Sequence, residues 1–420
     1  MCRCAFHLSF CFKALRIEKI DSPKQPRKAR SRSPQDALFP RTLLRFPTTP
    51  LYSGRFFEFH LSKVNSMKLG LVGYPQVGKR TLFKLLTDTL PSQDGSRNGS
   101  LGLAPVLDLR FDRLVELYKP AKETPAVMEF SLLPDLDLEA TRNAEALKAL
   151  EEVDVICHLV RAFADDTVFH IAGRLDPARD IHTFSEELQL ADLIFIEKRL
   201  DRLARENRGK KDDRAVRETD LLGRLRDHLE AGLSLRSFPF SDEEQKLVAS
   251  YPLLTRKAVI NVLNVGEDRL GDTGFLSSLE EKFDGQHFEW IAVSARIEEE
   301  LSQLEEGDAR AFLDDLGIDR PALDRLTQLC YRTLGLISFF TVGEDEVRAW
   351  TIRQDALAPQ AGRAIHTDIE RGFIRVEVMK YPDLVELGSE IRVKEAGKLL
   401  PKGRDYGVED GDILHFLFKV

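Results

Sequence analysis

After Met67 the chain alternates short apolar runs with amphipathic segments. Lys68-Leu-Gly-Leu-Val72 is the first such run, and Val127–Leu133, Val153–Val160, Ala258–Leu263 and Trp290–Val293 follow. Segments of helical period lie between them. Strands alternating with helices predict a mostly parallel, doubly wound α/β sheet. Residues 188–232 break that rhythm. Leu193, Ile196, Leu200 and Leu203 recur at three- and four-residue spacing, as do Leu222, Leu225 and Leu229, with the charged stretch 205–214 between the two sets. This pattern predicts an antiparallel helical hairpin, an arm inserted into the α/β domain. From about Thr333 short strand-like runs alternate with glycine turns: Ile337–Thr341, Val347–Thr351, Phe373–Val378 and a last strand after Gly411-Asp412. These predict a small α+β domain. The expected organisation is therefore an α/β domain over 67–187 and 233–332, an arm over 188–232 and a terminal domain over 333–420.

The first strand runs into Gly73-Tyr-Pro-Gln-Val-Gly78-Lys79-Arg80-Thr81. Glycines at this spacing let the backbone curl until successive N–H groups point inward. The following helix adds its positive end, and the lysine reaches the β- and γ-phosphates. Gly73, Gln76, Val77, Gly78, Lys79, Arg80 and Thr81 are thus the expected phosphate loop of a nucleotide-binding protein. One position breaks the rule. Arg80 stands where a Ser or Thr hydroxyl ligates magnesium, and arginine has no acceptor. Thr81 is one residue late, about 100° around the helix, and cannot simply substitute. Two readings of Arg80 stay open: it supplies the charge that magnesium would bring, or it points to solvent.

Two later strand ends fit the base-binding part of such a site. Asn264-Val265-Gly266-Glu267 occupies the place of N-K-x-D, with Val265 for the Lys and Glu267 one methylene longer than Asp. That change weakens guanine selectivity without forbidding it. Ser294 and Ala295, in Val293-Ser-Ala-Arg296, fit the S-A-K element that backs the base.

Composition narrows the class. The chain has 420 residues, 43% hydrophobic and 31% charged, with net charge −8. This is a globular composition, and the charge argues against a surface generally coated by nucleic acid. No apolar run approaches the ~18 residues of a membrane span. Five cysteines without C-x-x-C spacing exclude a disulfide framework or zinc ribbon. No His or Cys spacing suggests a metal site, and a reducing cytosol fits. Residues 1–66 differ from the rest, with 13 Lys/Arg against 4 Asp/Glu. Three readings of this leader stay open: an upstream start preceding the natural Met67, a disordered basic arm, or a targeting segment.

These motifs resemble the YchF subfamily of Obg-like P-loop NTPases, translation-factor-class proteins with a helical coiled-coil arm and a C-terminal TGS (β-grasp) domain. The resemblance runs from Met67 to Val420. It is most specific in Glu346-Val-Arg-Ala-Trp-Thr351, Ile365-His-Thr-Asp368, Gly372-Phe-Ile-Arg375, Lys394-Glu-Ala-Gly-Lys398 and Asp405-Tyr-Gly-Val-Glu-Asp-Gly-Asp412. His158-Leu-Val-Arg161, Leu175–Ile181 and Glu187–Asp192 match as well. The resemblance implies ATP in preference to GTP, read by Asn264 and Glu267, a cytoplasmic location and association with ribosomes. It also implies a histidine that positions water, here His170; an ordinary core or surface histidine is the competing reading.

The departures from this family cluster around the metal. Its loop reads G-x-P-N-V-G-K-S-T, whereas Gln76 and Arg80 stand here. Its D-x-A-G motif follows an M-E-F strand, but Met128-Glu-Phe130 is followed by Ser131-Leu-Leu-Pro-Asp135, so Leu132 takes the Asp position and Asp135 the Gly position. The first switch is reduced to 92–105. Phosphoryl transfer relies on positioning and charge neutralisation, so the expectation is phosphate binding with weak or lost hydrolysis. The alternatives are an active ATPase using Arg80 and His170, or a scaffold that docks on ribosome or RNA without nucleotide.

Overall fold

Twelve strands form two six-stranded sheets among the described residues. They are β1 (Lys68–Val72), β2 (Ser100–Pro105), β3 (Lys122–Thr124), β4 (Val127–Leu132), β5 (Val155–Ala162), β6 (Ala258–Val265), β7 (Glu289–Val293), β8 (Leu336–Thr341), β9 (Glu346–Arg353), β10 (Phe373–Lys380), β11 (Leu400–Lys402) and β12 (Asp412–Phe418). The computed structural model describes residues 67–91, 100–206 and 212–419. The leader 1–66, the start of the shortened switch at 92–99 and the tip of the arm at 207–211 lie outside the described residues.

The first sheet has the order β2-β4-β1-β5-β6-β7. Pairing is parallel from β4 through β7. Only the edge strand β2 runs antiparallel, against β4. Strands β5 and β6 are almost wholly buried, as strands covered on both faces must be. The chain leaves β1 for β4 on one side and reaches β5 on the other, so the crevice at the end of β1 is a switch point where ligands bind in open α/β sheets. The phosphate loop follows β1 at that point.

The second sheet has the order β11-β10-β12-β8-β9-β3. Helix Ala358–Ile365 covers one face, where Ala358, Ala361 and Ala364 pack with Ile337, Phe339, Val376 and Leu414. The opposite face, through Phe340, Val347, Ala349, Met379 and Ile413, belongs to the same core as Leu69, Phe83 and Phe111 of the first domain. The edge strand β3 comes from the first domain and pairs in parallel with β9, Lys122 opposite Glu346 and Thr124 opposite Arg348. The terminal sheet is thus completed by a strand from outside 333–420.

The arm is two helices, Pro177–Glu206 and Asp213–Glu230. The first begins at Pro177, not near Leu188, because Asp176 accepts from the Arg179 amide and proline is favoured in a first turn. Ile196, Leu203, Leu222, Leu225 and Leu229 form the arm's own core, with Leu193 and Leu200 packed against it.

Candidate functional site

The loop is built by two glycines whose neighbours leave no room for a side chain. A Cβ on Gly73 would collide with the Leu159 carbonyl oxygen of β5. Gly78 has φ 97°, and a Cβ there would lie 2.5 Å from Asn264 Nδ2. Gln76 takes φ 60° and is exposed, whereas Val77 is buried. Helix Lys79–Thr87 starts directly after Gly78, and no side chain caps its first turn. Its leading N–H groups therefore remain directed at the loop, where an anion would take them.

Asn264 braces this arrangement. Its Nδ2 donates to the Val77 carbonyl at 2.9 Å, and its Oδ1 accepts from the Ala295 amide at 3.0 Å. One buried side chain ties the loop, the end of β6 and the start of helix Ala295–Leu301 together. Val265 points into a core cluster on the far side of the sheet. Glu267 opens a short 3₁₀ turn and is exposed, whereas Ser294 and Ala295 are buried.

Lys79 is buried, and burial lowers its pKa, opposed by the carboxylate of Asp135. Its ammonium donates to the Gly73 carbonyl and lies 2.5 Å from Asp135 Oδ1. Asp135 follows β4 and is half exposed, at 52%. The sequence places Asp135 at the Gly position of the D-x-A-G motif but carries no sign of its pairing with Lys79, since only the turn after β4 brings it across the loop. His158 lies beneath, on β5 beside Val72. Burial and the charge of Lys79 push its imidazole down to about 3, against a hydrogen bond to Asn261, so it is neutral. Tyr74 is buried too, and burial together with Glu187 raises its phenol.

The positions that hold magnesium in the resembling family do not fit a cation here. Arg80 is exposed and cationic, and Thr81 is half-buried one residue further round the helix. Leu132, at the other ligand position, is apolar and packs against the core. His170 is buried; its Nδ1 accepts from the Ala172 amide, and its Nε2 lies 3.2 Å from Asp180 Oδ2. Both nitrogens face these partners rather than the loop. The structure therefore gathers Gly73, Val77, Gly78, Lys79, Asn264 and Ala295, and leaves His170, Val265 and the exposed Gln76, Arg80 and Glu267 outside that hydrogen-bonded unit.

This sheet order, with its loop after β1, defines the class: a P-loop NTPase fold carrying a helical arm and a C-terminal β-grasp domain. A family model for the C-terminal part of YchF GTPases, described as "Protein of unknown function (DUF933)", matches residues 336–419. The ribosome-binding ATPase YchF of Bacillus subtilis is 39% identical over 371 residues, covering 84% of this chain and 100% of the relative. Obg-like ATPase 1 of rice (Oryza sativa subsp. japonica) is 35% identical, over 84% of this chain and 92% of its own. The solved YchF GTPase of Schizosaccharomyces pombe superposes with TM-score 0.74 at 30% identity, over 84% of this chain and 98% of that one. The chain belongs to the YchF family.

Proposed function

We propose that this protein binds a purine nucleotide, ATP or GTP, in the Gly73–Thr81 cradle, associates with ribosomes, and hydrolyses its nucleotide weakly or not at all. The observation that carries the reading is the contrast inside one site. The backbone cradle is braced by Asn264 and served by Lys79, while Arg80 and Leu132 hold the positions of metal-binding side chains. Phosphates held by backbone N–H groups need no metal. Charge neutralisation during phosphoryl transfer does, and no acceptor is supplied for it at either position.

Ribosome association rests on relatives named ribosome-binding ATPases that align along their full length. Glu267, exposed at the end of β6, is the proposed base reader, and Ser294 and Ala295 shape the wall beside it. His170 is proposed to lock the 163–173 loop onto helix Pro177–Glu206 through Asp180 rather than to position water. The exposure of Arg80 supports a solvent-facing side chain over a substitute for the cation.

Calorimetric titration with ATP, ADP, GTP and GDP, with and without magnesium, tests the binding. The expected result is measurable affinity that changes less than about threefold on adding magnesium. Single-turnover hydrolysis beside a Lys79→Ala control tests the chemistry; turnover that the control abolishes would overturn the loss of hydrolysis. Co-sedimentation of the full chain with purified ribosomes tests the partner.

A further inference from the structure

The ammonium of Lys79 is already occupied. Asp135 Oδ1 lies 2.5 Å from it, and the Gly73 carbonyl takes a second of its protons. The carboxylate is held there by its backbone. The Leu133 amide donates to Leu71 at 3.0 Å and the Leu136 amide to Gly73 at 3.1 Å, so the segment runs in register along the base of the loop. Leu133 and Leu136 are buried on either side. Pro134 between them fixes its own φ. Asn143 clamps the far end, accepting from the Asp137 amide at 2.7 Å and donating to its carbonyl at 2.9 Å. Between these anchors the Asp135 carboxylate meets the Lys79 ammonium while staying half exposed to solvent.

We propose that Asp135 is a specificity-determining residue of the cradle. Its carboxylate stands in for a terminal phosphate on Lys79, so the site takes nucleoside diphosphates in preference to triphosphates. The inference rests on the nucleotide-binding reading above and deepens it. A P-loop lysine serves the β- and γ-phosphates. A diphosphate lies within reach of the loop N–H groups and shares the lysine with Asp135. A triphosphate brings one more anionic group, which needs the same ammonium and meets the carboxylate beside it. Like charges at that range repel. Half exposure of Asp135 screens the repulsion, so the discrimination is moderate rather than absolute. The plainer role, a surface ion pair that merely tethers the turn after β4, makes a different forecast: losing the charge then shifts both nucleotides alike.

The test is calorimetric titration of the full chain with ADP, ATP, GDP and GTP for wild type, Asp135→Asn and Asp135→Gly, each checked by thermal melting. Wild type is expected to bind ADP about tenfold more tightly than ATP. Asp135→Asn is expected to bring the two affinities within about threefold by strengthening ATP. If Asp135→Asn does not fold, Asp135→Gly, which removes the same charge, carries the comparison. An ADP-to-ATP ratio unchanged in the variants, with ADP still bound, overturns the inference and leaves the nucleotide reading standing. Absence of binding of ADP, ATP, GDP and GTP alike in all three proteins overturns the nucleotide reading, and the inference falls with it.

Discussion

Asn264 shows how one side chain serves two backbones. Replacing it with Ala strands the Val77 carbonyl and the Ala295 amide, both in buried surroundings. Each stranded group costs its desolvation, so Asn264→Ala is expected to lose about 2–4 kcal/mol in urea unfolding and to weaken nucleotide binding as well. From sequence Asn264 reads as a base contact, because the strand-end motif gives its place but not its partners, which lie on two distant loops. Asp324 offers a second test at this scale. Burial and the Glu298 carboxylate push it up to about 7, with Arg320 opposing. The folded state therefore takes up a proton that the unfolded chain, near 3.8, does not hold. Stability falls as pH rises through this window, and the penalty is complete above it. Asp324→Asn should raise stability at pH 8 by up to about 3 kcal/mol and change it little near pH 4, as measured by calorimetric melting at the two pH values.

Elements were legible in proportion to how local their causes are. Strand β1 follows from Lys68–Val72 alone, and the arm's leucines predict its core because helical period is written in adjacent turns. Strand β2, Ser100-Leu-Gly-Leu-Ala-Pro105, is an edge strand with a central glycine and carries little strand signal. Strand β3, Lys122-Glu-Thr124, carries none, since its pairing depends on β9 more than 200 residues later. The early start of the first arm helix is written in Asp176-Pro177, a capping pair that leucine spacing does not report. That helix is docked at its middle by Asp192, which accepts from the Leu254 and Thr255 amides at 2.7 and 2.8 Å and from the Thr255 hydroxyl at 2.6 Å. Burial raises this carboxyl to about 6 despite those donors. Asp192→Ala should release both amides. Hydrogen exchange at Leu254 and Thr255 is expected to speed up by tenfold or more, corresponding to roughly 1.4 kcal/mol or more of local stability. Unchanged exchange there would show that the arm is held by its apolar contacts alone.

At the scale of the whole molecule, the terminal domain is less separable than its sequence texture suggests. Its sheet takes β3 from the first domain, and one core runs from Leu69 and Phe111 through Leu326 and Cys330 to Phe340 and Ile413. A charged clasp closes the same joint. Arg110 makes two hydrogen bonds to Asp410, at 2.9 and 3.0 Å, while also holding Asp108, and Asp410 accepts from the Ser338 amide. Tyr118 donates to Glu390 across the joint at 2.7 Å. Removing residues 336–420 would leave the apolar face of helix Ala322–Thr333 and the pairing edge of β3 without partners. Each buried large side chain so exposed forfeits about 1.5–3 kcal/mol, and a few suffice to exceed the stability of an ordinary domain. Residues 67–335 expressed alone are therefore expected to aggregate or to melt without cooperativity, whereas the full chain melts with both domains in one transition. The clasp itself is read by a double-mutant cycle of Arg110→Ala and Asp410→Ala, with a coupling of about 0.5–1 kcal/mol expected for a solvent-screened bidentate pair. A soluble 67–335 fragment with a sharp melt and a coupling near zero would mean that the shared core is only a contact between two independent folds.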